Sequence, residues 1–149
     1  LLTGERYSFV SHKVCSKHQI RDRFAVFVCV DSMEQRKVIQ RLLFCSGVKF
    51  LVEGRMGVRS GAAYILEPDD PVQVAAYVEE LYDDSDVVET ERAPCGATQS
   101  VIATATLVAS HMTWLFIQHT MVNPDPINEI IVSVSPPTLT SRRFPTSND

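Results

Sequence analysis

Phe24-Ala25-Val26-Phe27-Val28-Cys29-Val30 is an unbroken apolar run that passes directly into Asp31 and then into Ser32-Met33-Glu34-Gln35-Arg36, a charged stretch with helical character. A strand with no polar face has to be covered on both sides, the usual condition of a central, parallel strand in an α/β sheet. The run therefore predicts an α/β domain with helices on both faces. Asp31 falls at the carboxyl end of that strand, where open α/β sheets form their ligand crevice, and is a candidate contact for a nucleotide, metal or substrate. The G-x-G-x-x-G loop that cradles a nucleotide phosphate is absent from the sequence, and the spacing of Gly54, Gly57 and Gly61 does not replace it.

The rest of the chain extends this pattern. Tyr7 to Val14 alternates loosely and predicts a strand, followed by a polar connection over 15–23. Ser32 can cap a helix, with Gln35 three residues on as in a capping box, and Ile39, Leu42 and Leu43 form its inward stripe as far as Gly47. Val48 to Glu53 is a short apolar strand at a crossover distance suited to a parallel pair. The turn chemistry of 54–61 then returns the chain through Ala62 to Leu66, a hairpin that makes the sheet mixed. Asp70 and Pro71 open a helix over 72–82 that buries Ala75, Val78, Leu81 and Tyr82. A solvated acidic loop over 83–94 leads to a long helix from Gln99 to about Met121, stopped by Asn123-Pro124-Asp125-Pro126. Ile127 to Ser135 alternates as an edge or antiparallel strand does, and 136–149, rich in Pro, Ser and Thr, predicts a flexible tail.

Composition excludes several classes of function. With 45% apolar and 21% charged residues the chain has material for one ordinary core, and a net charge of −4 with scattered Lys and Arg offers no footprint for nucleic acid. The cysteines at 15, 29, 45 and 95 form no C-x-x-C pair, which argues against a zinc ribbon or dithiol motif and for a reducing cytoplasm. The uncharged stretch 100–118 approaches the about 20 residues that span a membrane, but Thr104, Thr106, Ser110, His111 and Thr113 favour a helix packed within the protein or at a dimer seam. Leu1 is preceded by no initiator Met and begins no signal pattern, so the chain is expected to be a piece of something longer.

Other chemistry-bearing residues have plainer readings. His12, Cys15 and His18 lie at three-residue intervals, yet two intervening lysines and the lack of a fourth ligand favour surface residues. His111 and His119 have no recognisable acid/base partner and read as one interior and one surface histidine. Arg36, one helical turn after Asp31, can pair with it or with solvent, or reach a nucleotide; Arg55 can reach a nucleotide or an acidic tail.

Val30-Asp31-Ser32-Met33-Glu34-Gln35-Arg36, the strand-turn-strand around Gly54-Arg55-Met56-Gly57, and Pro94-Cys95-Gly96-Ala97-Thr98 opening a long apolar helix together resemble the second half of the ThiF/MoeB/HesA family, the adenylating domain of ubiquitin-activating enzymes and their bacterial sulfur-carrier counterparts. The resemblance covers about residues 7–135. It implies a Rossmann-like mixed sheet with parallel core strands, an antiparallel hairpin and an edge strand, its N-terminal half lying outside this chain. It also implies ATP-dependent adenylation of the C-terminal carboxylate of a ubiquitin-like or sulfur-carrier protein ending in Gly-Gly. Asp31 matches the family's magnesium and phosphate aspartate, Arg36 becomes a nucleotide contact, and Cys95 falls where some members carry an acyl- or sulfur-accepting thiol. Ser32 departs from the Asn that usually follows the aspartate. With the glycine-rich loop missing, the isolated chain is expected to be inactive. A non-catalytic assembly module, such as a degenerate partner subunit, and a nucleotide-dependent oxidoreductase domain are the alternative readings. A homodimer, or pairing with the missing half, is the expected assembly.

Overall fold

The computed structural model describes residues 23–44, 46–83, 102–121 and 126–147. They form a five-stranded mixed sheet in the order β1-β2-β3-β4-β5, with β1 (Ala25–Val28) parallel to β2 (Phe50–Met56) and the remaining neighbours, β3 (Ser60–Leu66), β4 (Glu129–Val134) and β5 (Pro137–Arg142), antiparallel. Helix α1 (Met33–Leu43) makes the crossover between the parallel strands, α2 (Pro71–Glu79) follows β3, and α3 (Ile102–Thr120) precedes β4. The α/β class with a mixed sheet and helices on both faces is the one expected.

Period-two alternation sorts the strand residues into two cores. On one face Leu51, Ala62, Tyr64 and Leu66 pack with Ile39 and Leu43 of α1, Tyr77 of α2 and Phe144. On the other, Phe50, Val52, Ala63, Ile65, Ile130 and Val132 meet Val108, Met112 and Leu115 of α3. The helices start where their caps dictate. Ser32 Oγ accepts from the Gln35 amide at 3.3 Å, and Asp70 Oδ1 accepts from the Val72 and Gln73 amides at 2.9 and 3.3 Å, ahead of Pro71 in the first turn. The α1 helix ends at Leu43, and Gly47 turns the chain with φ of 78°, a left-handed conformation suited to glycine.

Three expectations are corrected. On α2 it is Gln73 and Tyr77 that are buried, whereas Ala75, Val78 and Tyr82 are exposed, because the helix turns a different stripe to the sheet. Among the described residues β1 is an edge strand, not a central one, and its Phe27 is half exposed. The expected flexible tail instead supplies β5, in register from Glu129↔Arg142 to Val134↔Pro137, and Phe144 beyond it is buried in the core. The reason is that β4 has a second edge to fill: Thr138, Leu139 and Thr140 have β-forming shapes, and Asn128 fastens the exit by accepting from the Phe144 amide at 3.0 Å.

Candidate functional site

Asp31 follows β1 by three residues, immediately ahead of the Ser32 cap of α1, and its side chain is exposed. What holds it there is Arg36, which does not pair with Asp31. The Arg36 side chain turns inward and is 5% exposed. Its Nη2 donates to the Val30 carbonyl, and Nη1 donates to the Gly54 carbonyl at 3.0 Å and lies 3.0 Å from Glu53 Oε1. One guanidinium thus ties the peptide just before Asp31 to the carboxyl-end half of β2. Both terminal nitrogens of the guanidinium are engaged with this chain, so the geometry makes Arg36 a brace for the strand ends.

Glu53, fully buried, is the hub of that brace. It takes Arg36 on one side and Arg55 Nε at 2.5 Å on the other, and accepts from the Tyr77 hydroxyl. Arg55 Nη1 donates to the Glu80 carbonyl at 2.7 Å, and the guanidinium lies 4.2 Å from the Tyr64 ring centroid and 5.4 Å from that of Tyr77. Burial works against the Arg55 cation, but attraction to Glu53 and the neighbouring tyrosines outweighs it and raises its pKa. At Tyr77 burial and the neighbouring Glu53 carboxylate raise the pKa, with Arg55 opposing them, and the phenol is held neutral.

Register extends the polar row across the sheet. Glu53, Tyr64, Glu129 and Arg142 stand opposite one another on four successive strands. Tyr64 is hydrogen-bonded to Glu129, and burial, partly offset by Arg55, raises its pKa. Arg142 closes the row with Nε 2.7 Å from Glu129 Oε2 and Nη2 2.6 Å from Glu80 Oε1. The sequence reading named Arg36 and Arg55 but missed Glu53, Tyr64, Tyr77 and Glu129. An acid at an inward position of an apolar strand, with Arg two residues on and therefore on the same face, was the available signal for Glu53.

The other candidates separate. Cys95, His12, Cys15, His18 and the acidic stretch 84–91 lie outside the described residues. Cys29, next to β1, is a free thiol whose pKa is raised by partial burial, with Arg36 lowering it and Glu53 raising it, so it is held in the unreactive protonated form. His119 donates Nε2–H to the Ile127 carbonyl at 3.0 Å and meets the Phe50 ring edge-on at 5.9 Å, a satisfied, half-buried histidine. Among the described residues no three His, Cys, Asp or Glu side chains converge as a metal cage. Asp31 suits the different case of magnesium arriving with a nucleotide, which takes one or two protein carboxylates and completes its shell with phosphates and water. No helix among the described residues is long and apolar enough to cross a membrane.

No family model matches the chain, and no curated protein matches it either.

Proposed function

We propose that this chain forms the carboxylate-bearing part of a ThiF-like adenylating domain, in which Asp31 faces the magnesium and phosphates of ATP while a Gly-Gly-ended ubiquitin-like or sulfur-carrier protein presents its terminal carboxylate. The observation that carries the reading is the position of Asp31: exposed, beyond the carboxyl end of a strand in a parallel pair, and directly before a helix cap. Magnesium, when bound with ATP, would neutralise charge on the phosphates. The chain's own residues bind and orient. Asp31 offers the oxygen ligand, and Arg36, reassigned from nucleotide contact to positioning residue, fixes the Val30–Asp31 peptide through its bonds to Val30, Gly54 and Glu53. Cys95 keeps its role as thiol acceptor of the activated acyl group, and a cytoplasmic location belongs to the same reading.

The test is ATP–pyrophosphate exchange by the chain joined to a glycine-rich phosphate-binding half, with a small Gly-Gly-ended protein as stimulant. Asp31→Ala is expected to lower exchange by about 10²-fold or more, whereas Cys95→Ser leaves exchange intact and removes only thiol transfer. Exchange undiminished in Asp31→Ala removes Asp31 from the chemistry. A second reading, the non-catalytic assembly module, is favoured by the missing G-x-G-x-x-G loop and by the lone carboxylate at the strand end; it is the outcome if the joined protein neither exchanges pyrophosphate nor binds ATP.

A further inference from the structure

The support of Asp31 extends beyond Arg36 to a helix far from it in the sequence. Glu53 stands opposite Val28 in the β1–β2 register, so its buried carboxylate lies beside the strand end that carries Asp31. Its Oε1 is shared by two guanidiniums, with Arg36 Nη1 at 3.0 Å and Arg55 Nε at 2.5 Å, while Oε2 accepts from the Tyr77 hydroxyl. A carboxylate held on both oxygens cannot turn about its last torsion. The acceptor it offers to Arg36 therefore has a fixed position.

Both of the groups that lock Glu53 are anchored in α2 or at its end. Tyr77 is fully buried in that helix, and Arg55 Nη1 donates at 2.7 Å to the carbonyl of Glu80, the C-cap of α2. An unbroken run of hydrogen bonds and ion pairs thus leads from α2 through Tyr77 and Arg55 to Glu53, then to Arg36 and the Val30 carbonyl, one peptide short of Asp31. Side chains one bond behind a ligand-bearing group set its orientation, and their loss loosens a site whose own contact residue is intact. Tyr64 provides the contrast. It is buried as well and its ring also lies over Arg55, 6.0 Å from the Tyr77 ring, but its hydroxyl serves Glu129, on the strand away from Glu53.

We propose that Tyr77 and Arg55 are positioning residues of the Asp31 site: by locking the Glu53 carboxylate they fix Arg36, and through it the peptide that presents Asp31 to the magnesium and phosphates of a nucleotide. The ligand rests on the adenylation reading, whereas the positioning is a property of this chain alone. Arg55, which the sequence offers as a contact for a nucleotide or an acidic tail, acts from behind the site, since its Nε and Nη1 are engaged with Glu53 and the Glu80 carbonyl.

Tyr77→Phe and Tyr64→Phe form a matched pair, each deleting one buried hydroxyl from a carboxylate, so a loss of stability alone affects both alike. In the whole chain the backbone amide order parameter of Asp31, about 0.85 for a rigid position, is expected to fall toward about 0.6 in Tyr77→Phe and to keep its wild-type value in Tyr64→Phe. In the chain joined to a glycine-rich half, the magnesium concentration that half-saturates ATP–pyrophosphate exchange is expected to rise about tenfold or more in Tyr77→Phe and to stay at the wild-type value in Tyr64→Phe. Arg55→Lys keeps a cation but cannot hold Glu53 and the Glu80 carbonyl together; it is expected to follow Tyr77→Phe and decides the matter if that variant does not fold. An Asp31 amide indifferent to Tyr77→Phe and Arg55→Lys, one loosened equally by Tyr64→Phe, or an unchanged magnesium requirement in an exchanging protein overturns the proposal. A joined wild type that neither exchanges pyrophosphate nor binds ATP overturns the adenylation reading instead, and the amide measurement still decides the positioning.

Discussion

Glu53 carries the highest energetic stakes of any side chain in the described sheet, because its carboxylate is buried between two guanidiniums that depend on it. Removing one member of a buried ionic set leaves the others uncompensated, so Glu53→Ala is expected to cost about 3–5 kcal/mol in urea unfolding. Tyr77→Phe deletes one hydroxyl donor to the same carboxylate and costs about 1–2 kcal/mol. Asp31→Ala separates function from folding. Its side chain is exposed, so stability stays within about 0.5 kcal/mol of wild type even where the exchange assay collapses. Asp31 was legible in the sequence because a polar residue ending an apolar run stands out. The brace was not, because Arg36, Glu53 and Tyr77 are far apart in sequence and meet only through the β1–α1–β2 crossover and the packing of α2.

At the scale of elements, α3 lies close against the sheet because β2 and β3 give it glycines. A Cβ on Gly61 would stand 2.5 Å from Val108 Cγ2 and 2.7 Å from the Arg55 carbonyl, whereas one on Gly57 meets nothing nearer than 3.3 Å. Gly61→Ala is therefore expected to destabilise by about 1–3 kcal/mol and Gly57→Ala by clearly less, as read by denaturant midpoints. Phe144→Ala tests the correction at the C-terminal end. A flexible tail would tolerate it, but a side chain seated in the core beyond β5 costs about 3–5 kcal/mol. The starts of α1 and α2 were readable from their caps, since Ser32, Asp70 and Pro71 act within their own turns, and so was the α1 stripe, but not the face that α2 buries, which is Gln73 and Tyr77. β5 was not, because its Pro-, Ser- and Thr-rich composition suits a loop equally well until an unfilled edge of β4 lies beside it.

For the molecule as a whole, one pH response among the described residues runs through His119, where α3 meets β2 and the approach to β4. Burial lowers its pKa below the usual value of about 6.5, with the Ile127 carbonyl and Glu67 opposing the shift. Because the folded state favours the neutral ring, its contribution is fully present above about pH 6.5 and is lost as pH falls toward the depressed folded value. The melting temperature is accordingly expected to fall between pH 7.5 and 5.5, and His119→Gln, which keeps a donor for Ile127, to flatten that part of the profile. By itself the sequence determined the fold class, the starts of α1 and α2 and the exposed acid after β1, because period, capping and apolar runs are properties of neighbouring residues. Only the tertiary structure decided that β1 is an edge among the described strands, that the last segment is a strand and that Arg36 braces β2. Those outcomes depend on which distant segments compete for the same hydrogen-bonding edge or apolar face, and that competition is settled only when the whole sheet assembles.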